Sequence, residues 1–394
     1  MTDIFSALKR GHWPSLVGAW LHFEVSFMTW LLIGSLGVSI AEEFALSATQ
    51  KGLLVACPLL SGALCRIVVG LGSDHLGAKT TGLYLLVCEM GALLWGWTGG
   101  GNFPQLIGVG LLLGVAGASF AVALPLASRA YPPAHQGLAM GIAASANSGT
   151  VLAMFLAPRF AELVGWRGVF GIMLVPVLVT TVLFAWLVRR DEKVWRPGRL
   201  QNAWQDLREN LARPSMYWLC FLYGITFGGF VGVCSFLPIF LHDQYGFDLV
   251  MAGSVTALGG LLGSLIRPFG GYAADRIGGI RALPAVFAAI AASIIAMSWL
   301  PPVAWAVICL MTAITAMGFG NGVVFQVVSD KFPKQIGMAS GLIGAAGGIG
   351  GFLVPFGLGS LKDLTGTYAA GWWVFALAAG CAWASVHLYN RRAR

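Results

Sequence analysis

Long apolar stretches separated by short polar breaks run through this chain from residue 15 to residue 389. A helix that crosses the hydrocarbon core of a bilayer needs about 20 mainly apolar residues. Twelve stretches come close to that length or exceed it, at 15–41, 51–71, 82–99, 105–128, 136–158, 168–188, 215–241, 249–271, 282–299, 304–328, 337–358 and 370–389. The pattern therefore predicts an all-α integral membrane protein with twelve transmembrane helices.

The longest and most charged break divides the predicted spans into six and six. It covers 189–214 and contains runs such as Arg189-Arg190-Asp191-Glu192-Lys193. We interpret it as a cytoplasmic linker between an N-terminal half, 1–188, and a C-terminal half, 215–394.

Charge is scarce and unevenly placed. Only 10% of the residues are charged, against roughly 25% in a soluble domain. With the N-terminus inside, 18 of the 24 Lys and Arg residues fall on the inner side of the predicted spans and four on the outer side. Cytoplasmic loops carry the excess of Lys and Arg, so both termini are predicted to lie in the cytoplasm. The net charge of +8 then reflects topology and does not indicate a nucleic-acid partner.

The start of the chain and its cysteines both favour a retained membrane protein without a cofactor. The basic pair Lys9-Arg10 leads into a long apolar run and not into the short core of a cleaved signal peptide. All 7 cysteines fall in apolar runs, without metal-ligand or disulfide spacing. We expect no metal, no cofactor and no disulfide.

The second half repeats the first at an offset of about 201 residues. The matched pairs include Arg66 and Arg267, Gly70 and Gly271, Asp74 and Asp275, and Gly77 and Gly278. A parallel repeat of six spans is the arrangement of the major facilitator halves, whose substrate site lies at their interface near the bilayer midplane.

Two loops carry a signature of that superfamily. The segments that follow the second and eighth spans, 70–79 and 271–281, resemble its G-x-x-x-D-R-x-G-R-K loops. The resemblance implies a major facilitator fold and alternating access, with these two loops acting in gating. The gating residues would be Gly70, Asp74, Gly77, Gly271, Asp275, Arg276 and Gly278.

Arg66 and Arg267 are the two basic residues that lie deep within predicted spans. Each precedes the loop aspartate by eight residues, which puts it about 12 Å inside the cytoplasmic edge at 1.5 Å per residue. An arginine at that depth costs roughly 2.5–3.5 kcal/mol to insert and usually serves a function. Its planar fork of donors matches a flat oxyanion. The two arginines would face each other across a central cavity and bind one small planar anion, unless each pairs with a buried carboxylate of Glu24 or Glu89.

The wider sequence around these arginines resembles the nitrate/nitrite porters of the superfamily. Two glycine-rich segments, 136–149 and 318–326 with 337–351, look like the nitrate signatures of that family. The resemblance implies that Arg66 and Arg267 bind the anion, that aromatic rings flank it, and that an asparagine of the fifth helix completes the site. Carried over to this sequence, the substrate-binding residues would be Arg66, Arg267, Asn147, Tyr223, Phe227, Phe120, Phe325 and Asn321.

Uptake of an anion into a cell that is negative inside requires coupling, because the membrane potential opposes it by about 2.3 kcal/mol per 100 mV. Either protons accompany the anion or another anion leaves in exchange. Glu24, in the first span, and Glu89, in the third, are the candidate proton carriers. The acidic first-helix motif resembles family members regarded as proton symporters, which favours symport.

Other classes of function fit the sequence less well. A membrane enzyme is disfavoured because the chain has no H-E-x-x-H or G-x-S-x-G motif and its histidines are scattered. A channel would not need the repeat. The alternatives within the superfamily are a nitrate/nitrite exchanger and a porter of another small anion, such as formate or oxalate. We expect a monomer in the cytoplasmic (inner) membrane whose partners are the anion, protons or a counter-anion, and lipid.

Overall fold

The computed structural model describes residues 10–132, 135–189, 205, 207–332 and 336–392. Most of the predicted linker, 190–204 together with residue 206, lies outside the described residues, as does the side chain of Asp74. The described residues are almost entirely helical, as the apolar pattern predicts.

The first six helices extend from residue 13 to residue 187. They are α1 (Trp13–Trp30, Leu32–Ser35 and Gly37–Glu43), α2 (Ala48–His75), α3 (Ala78–Thr98), α4 (Phe103–Leu113, the 3₁₀ turn Gly114–Ala118, and Phe120–Arg129), and α5, which begins with Gln136–Ser145 and the 3₁₀ turn Ala146–Ser148. The helix Gly149–Leu187 follows without a break. Its part before Gly165 belongs to α5, and its part after Gly165 is α6. The polar break predicted between the fifth and sixth spans is reduced to a kink at Gly165, whose φ of 72° and ψ of 162° interrupt the helix Gly149–Leu187.

The remaining helices extend from residue 214 to residue 392. They are α7 (Pro214–Tyr223, the π turn Gly224–Gly228, and Gly229–Tyr245), α8 (Leu249–Leu265 and Arg267–Ile277), α9 (Gly279–Ser298), α10 (Val303–Lys331), α11 (Ile336–Thr365) and α12 (Ala369–Arg392). Arg267 begins the second segment of α8 and is followed by Pro268. A proline disfavours helical backbone in the residue before it and lacks an N–H, which is a physical reason for the break at this point.

Nine helices of the described residues are long and apolar enough to cross a membrane. One of them, Ala139–Leu187, covers both α5 and α6, while α1 and α3 are not among the nine. Helix α1 is divided at Leu31 and Leu36 into three shorter segments.

The described residues group into two compact units. The first contains the described residues within 1–36 and 61–197, and the second contains those within 37–60 and 198–394. Helix α2 therefore belongs to the second unit up to residue 60 and to the first unit from residue 61. Pro58 lies inside α2 close to this transition. The division at 189–214 remains a prediction.

Glycine permits close helix crossings inside each unit. A Cβ atom on Gly149 of α5 would collide with the backbone carbonyl of Glu24 in α1, and one on Gly318 of α10 would collide with that of Gly263 in α8. Small residues let helix backbones approach in this way. The glycine-rich segments that look like nitrate signatures therefore set how closely α5 and α10 pack on their neighbours.

The two segments predicted as gating loops are mainly helical, which corrects that part of the sequence interpretation. Helix α2 continues to His75 and α8 continues to Ile277, so Gly70 and Gly271 lie inside helices. The turn comes at Gly77 and Gly278, with φ values of 87° and 88°. Only glycine adopts such a backbone conformation readily, which explains why both copies of the repeat carry it at this position.

Candidate functional site

Arg66 is buried in the first unit between α1, α2 and α4. Its Nε donates to the backbone carbonyl of Gly117 at 3.1 Å. Its guanidinium carbon lies 5.6 Å from the centroid of the Trp30 ring and 5.9 Å from that of Phe120. Because Nε is held by a backbone atom, the orientation of the guanidinium group is set by α4 and by two aromatic rings.

Glycines on both sides of Trp30 make room for its indole ring. A Cβ atom on Gly62 would lie 2.9 Å from the indole nitrogen, and one on Gly117 would overlap the ring. Gly62 comes one helical turn before Arg66 in α2, and Gly117 comes three residues before Phe120 in α4. Trp30 is fully buried, so it forms a wall of the arginine site that larger residues at either glycine would displace.

The predicted asparagine and the first candidate proton carrier lie next to each other in this unit. Asn147 is buried in the 3₁₀ turn of α5. The next residue, Ser148, donates its hydroxyl to the Glu24 carboxylate at 2.7 Å. A change in the charge of Glu24 would therefore act on the turn that carries Asn147.

Glu89 lies in a separate polar contact between α1 and α3. It is completely buried and accepts a hydrogen bond from the Ser26 hydroxyl at 2.7 Å. Its second oxygen has no hydrogen-bond partner among the described residues. Both glutamates thus receive hydrogen bonds from serines.

Arg267 is half-buried in the second unit, where α7, α8 and α10 meet. Its Nη2 donates to the Tyr223 hydroxyl at 3.0 Å, and its guanidinium carbon lies 5.6 Å from the centroid of the Phe227 ring. The rings of Tyr223 and Phe227 are stacked, with centroids 5.1 Å apart and planes 3° apart. The predicted α7 contacts and the predicted arginine are therefore brought together in one unit.

Two predicted substrate contacts, Phe325 and Asn321, lie on α10, and they differ in how they relate to the Arg267 cluster. Phe325 meets Tyr223 edge-on, with a centroid distance of 5.0 Å. Asn321 is buried, and its side-chain oxygen has no hydrogen-bond partner among the described residues. Phe325 therefore shares a cluster with Tyr223, whereas Asn321 contributes a buried amide one turn away along the same helix.

Gly347 of α11 packs against the stacked rings of Tyr223 and Phe227. A Cβ atom at this position would lie 2.7 Å from the Tyr223 ring and 2.9 Å from the Phe227 ring. Such a contact is shorter than van der Waals distance, so the rings occupy their present positions only because residue 347 has no side chain.

Each unit thus presents a guanidinium group beside aromatic rings in a setting of low polarity. Arginine offers several N–H donors in a plane, and aromatic edges carry a partial positive charge. In a region that excludes water these interactions with an anion are stronger than in solvent. The chemistry suits a small flat oxyanion, and the described residues contain no group of three or more His, Cys, Asp or Glu that could hold a metal ion.

Comparison with known proteins identifies the family. The Major Facilitator Superfamily profile matches residues 19–355. The chain is 35% identical over 363 residues to a "Probable nitrate/nitrite transporter NarK2" of Mycobacterium tuberculosis, covering 90% of each chain. It is 32% identical over 352 residues to a "Nitrite extrusion protein" of Bacillus subtilis, covering 89% of this chain and 88% of the relative. The chain belongs to the nitrate/nitrite porter family of the major facilitator superfamily.

Solved structures agree with that fold. A bacterial homologue of the human lysosomal transporter Spinster, in an inward-facing and unoccupied conformation, aligns with a TM-score of 0.75 at 18% identity over 96% of both chains. The xylose transporter XylE of E. coli aligns with a TM-score of 0.73 at 14% identity over 94% of this chain and 97% of the other. The predicted family and the predicted twelve-helix fold in two halves are therefore confirmed, and this porter is a transporter and not an enzyme.

Of the gating residues predicted in this porter, Asp275 and Arg276 are not among the residues that contact Arg66 or Arg267 in the described contacts. Asp275 and Arg276 are exposed near the end of α8, and the Arg276 guanidinium lies 5.2 Å from the Tyr272 ring centroid. A Cβ atom on Gly70 or Gly271 would meet nothing within 4 Å. The gating role of these positions remains a prediction.

Sequence reasoning missed several residues of the porter's candidate site. Trp30, Ser26 and Ser148 contact Arg66, Glu89 and Glu24, but none was among the predicted site residues. For Trp30 a usable signal existed, because Gly62 and Gly117 stand about one turn from Arg66 and Phe120, and glycine next to a functional residue often makes room for a ring. The two serines are ordinary residues in apolar helices, and only the fold shows which carboxylate each one reaches.

Proposed function

We propose that this protein is a secondary active transporter that carries nitrate, and also nitrite, across the cytoplasmic membrane by alternating access. The names of its relatives support this substrate class, because they include a nitrate/nitrite transporter and a nitrite extrusion protein. The observation that carries the proposal is the repeat-related pair Arg66 and Arg267, each set beside an aromatic ring at about 5.6 Å.

The physical case rests on the arginine side chains. A guanidinium group stays protonated at any accessible pH and donates two parallel hydrogen bonds to a planar oxyanion. Phe120 lies beside Arg66 and Phe227 lies beside Arg267. These rings are proposed to flank the bound anion and to shield it from water. Asn147, Asn321 and Phe325 are further proposed contacts of the substrate.

We propose proton symport as the coupling mode, with Glu24 as the principal proton carrier. Its carboxylate accepts the Ser148 hydroxyl next to Asn147, so protonation would alter a hydrogen bond at the predicted substrate contact. Glu89, bonded to Ser26, is the second candidate. Inward transport of one nitrate with two protons would carry net positive charge and so use the membrane potential favourably.

Exchange of nitrate for nitrite is the alternative coupling mode, in which nitrite would leave the cell as nitrate enters; the Bacillus subtilis relative is named a nitrite extrusion protein. In an exchanger both glutamates would be structural. A porter of formate or oxalate is the alternative for substrate, because these anions also present planar carboxylates to arginine.

The distribution of Lys and Arg supports the proposed topology. With both termini in the cytoplasm, 18 of the 24 basic residues lie on the inner side. We propose a monomeric, multi-pass protein of the cytoplasmic (inner) membrane that has lipid as its other partner.

Uptake of labelled nitrate into proteoliposomes tests the proposal. Vesicles are either empty, with an inward proton gradient imposed, or preloaded with nitrite. Unlabelled nitrite, formate and oxalate are added outside as competitors. The variants Arg66→Lys and Arg267→Lys keep the charge and lose the planar fork. Arg391→Lys is the matched control, because Arg391 is exposed at the end of α12 and lies outside both predicted gating segments.

Uptake that requires both arginines, survives Arg391→Lys and is competed by nitrite would support the substrate assignment. Dependence on the proton gradient in empty vesicles would support symport, and dependence on internal nitrite would support exchange. Uptake that continues unchanged in either arginine variant would overturn the assignment of the site.

A further inference from the structure

A second group of arginines in the first unit lies apart from Arg66. It is found where the start of α1 meets the ends of α4 and α6. A cavity of about 540 Å³ opens there. Its polar lining consists of Arg10, His12, Ser15, Arg129, Tyr131 and Arg189. We refer to it as the arginine pocket. It shares no residue with the candidate transport site.

The floor of the arginine pocket is a hydrogen-bonded framework that joins the three helix ends. The His12 backbone N–H donates to the Ala130 carbonyl at 2.9 Å, which ties α1 to α4. The Arg189 backbone N–H donates to the Ser15 hydroxyl at 3.3 Å, which ties α6 to α1. The Ser15 backbone N–H donates to His12 Nδ1 at 3.2 Å. The basic side chains therefore project from a fixed base and not from a loose segment.

The lining carries positive charge at the ends of three different helices. Arg10 precedes α1, Arg129 ends α4 and Arg189 follows α6, and all three are exposed. Within the described part of the chain the lining contains no carboxylate. Partial burial and the nearby Arg189 guanidinium lower the pKa of His12. Since His12 Nδ1 accepts a hydrogen bond, the imidazole is neutral in this arrangement.

The volume of the pocket and its position relative to the membrane indicate what kind of anion it can bind. Its volume is in the range of pockets that hold organic ligands, about 300–1,000 Å³, and is much larger than a nitrate ion needs. Trp13, the first residue of α1, is 58% exposed. Exposed tryptophan at the end of a membrane helix is typical of the headgroup region. Arginine forks pair with phosphate by two parallel hydrogen bonds.

We propose that the arginine pocket binds a phosphate group, carried either by the headgroup of an anionic phospholipid or by a soluble phosphate compound. Bound phosphate would hold together the ends of α1, α4 and α6 in the first unit. The proposal does not depend on the identity of the transported anion.

Binding is measured on the full-length protein purified in a neutral detergent. Phosphatidylglycerol is the anionic probe and phosphatidylcholine is the lipid control, and bound lipid is counted by native mass spectrometry. Inorganic phosphate and glycerol phosphate, added at millimolar concentration, test whether a soluble phosphate competes. Arg10→Gln and Arg189→Gln each remove one charge from the pocket, and Arg281→Gln removes one from the exposed start of α9 as the matched control.

We expect phosphatidylglycerol to bind in preference to phosphatidylcholine, and each pocket variant to bind it about tenfold more weakly, or about 1.4 kcal/mol. The Arg281→Gln control should bind as the unmodified protein does. Competition by free phosphate would identify a soluble ligand, and its absence would identify the lipid. Equal binding by the pocket variants and the control would overturn the proposal, as would equal binding of the two lipids.

A second measurement keeps the test decisive if a variant is unstable. The groups that line the pocket around His12 are Arg10, Arg129, Arg189 and Tyr131. A phosphate bound among these arginines would offset their effect and raise the pKa of His12 in the unmodified protein. NMR titration of labelled histidine, with the His12 signal assigned by its loss in His12→Gln, should show that rise with phosphatidylglycerol. An unchanged titration in the presence of bound lipid would place the lipid elsewhere.

Discussion

Replacing Gly347 with alanine tests whether the stacked rings of α7 determine anion affinity. The new Cβ atom would lie 2.7 Å from the Tyr223 ring and 2.9 Å from the Phe227 ring. Ordinary van der Waals contact begins near 3.4 Å. At least one ring must therefore move by several tenths of an ångström. Because the Tyr223 hydroxyl accepts from Arg267 at 3.0 Å, that movement also disturbs the arginine.

The size of the effect follows from two opposing terms. Overpacking a well-filled region costs about 1–3 kcal/mol. Alanine is favoured over glycine inside a helix by about 1 kcal/mol, so the overall stability should change little or fall by up to 2 kcal/mol. Displacement of the rings and of Arg267 should raise the KM for nitrate about tenfold.

The matched control is Gly357→Ala in the same helix, α11. A Cβ atom there would meet nothing within 4 Å, so this variant keeps the gain in helix propensity and lacks the collision. Nitrate uptake into proteoliposomes gives the KM, and thermal denaturation in detergent gives the stability. A KM for Gly347→Ala equal to that of Gly357→Ala would refute the reasoning, because it would mean that the positions of the two rings do not affect the substrate.

Three further predictions concern other contacts. Glu24→Gln should abolish nitrate uptake driven by a proton gradient and preserve nitrate/nitrite exchange, because glutamine can keep a contact with Ser148 but cannot carry the proton; loss of both activities in proteoliposomes would indicate a structural role. Trp30→Phe should raise the KM about fivefold, since it shortens the ring that lies 5.6 Å from Arg66, whereas Trp305→Phe at an exposed position should leave the KM unchanged. Asp243→Asn should lower the free energy of unfolding by about 1–3 kcal/mol, because Asp243 binds Lys51 at 2.8 Å and accepts the Tyr368 hydroxyl at 2.8 Å; a melting temperature no lower than that of the exposed control Glu162→Gln would argue against a stabilising role.

Hydrophobic patterning was enough to predict the architecture because lipid imposes a simple rule on the sequence. A helix must run about 20 apolar residues to cross the bilayer, and the twelve predicted stretches correspond to α1–α12. The pattern could not resolve breaks within an apolar run. Nothing in local hydrophobicity distinguishes the division of α1 at Leu31 and Leu36 from continuous helix, and Gly165 bends one helix of 39 residues where a longer polar loop was predicted.

Which segments of the chain belong to the second unit also could not be predicted from the sequence. The repeat predicts six helices in each half, but residues 37–60 group with the second unit. Tertiary contacts that have no local signature account for this. Asp363 of α11 accepts the backbone N–H groups of Ala48 and Thr49 at the start of α2, and Lys51 pairs with Asp243 of α7. These partners lie about 190–315 residues apart in the chain.

The repeat relates aromatic residues of the two units, but it does not determine how their rings are arranged. Tyr223 and Phe227 in α7 correspond, at an offset of 200 residues, to Phe23 and Phe27 in α1. The rings of Phe23 and Phe27 meet edge-on, with centroids 4.3 Å apart and planes 87° apart, whereas those of Tyr223 and Phe227 are stacked 3° from parallel.

The difference between the two ring pairs has a structural cause in the backbone. Helix α1 is regular α-helix through residues 23–27. In α7, a π turn over Gly224–Gly228 begins directly after Tyr223 and includes Phe227. A π turn rotates the residues on either side relative to each other and is frequent at functional sites. The repeat thus places an aromatic pair in both units, and the π turn, together with the space that Gly347 leaves, gives only the α7 pair the parallel arrangement in which the Tyr223 hydroxyl reaches Arg267.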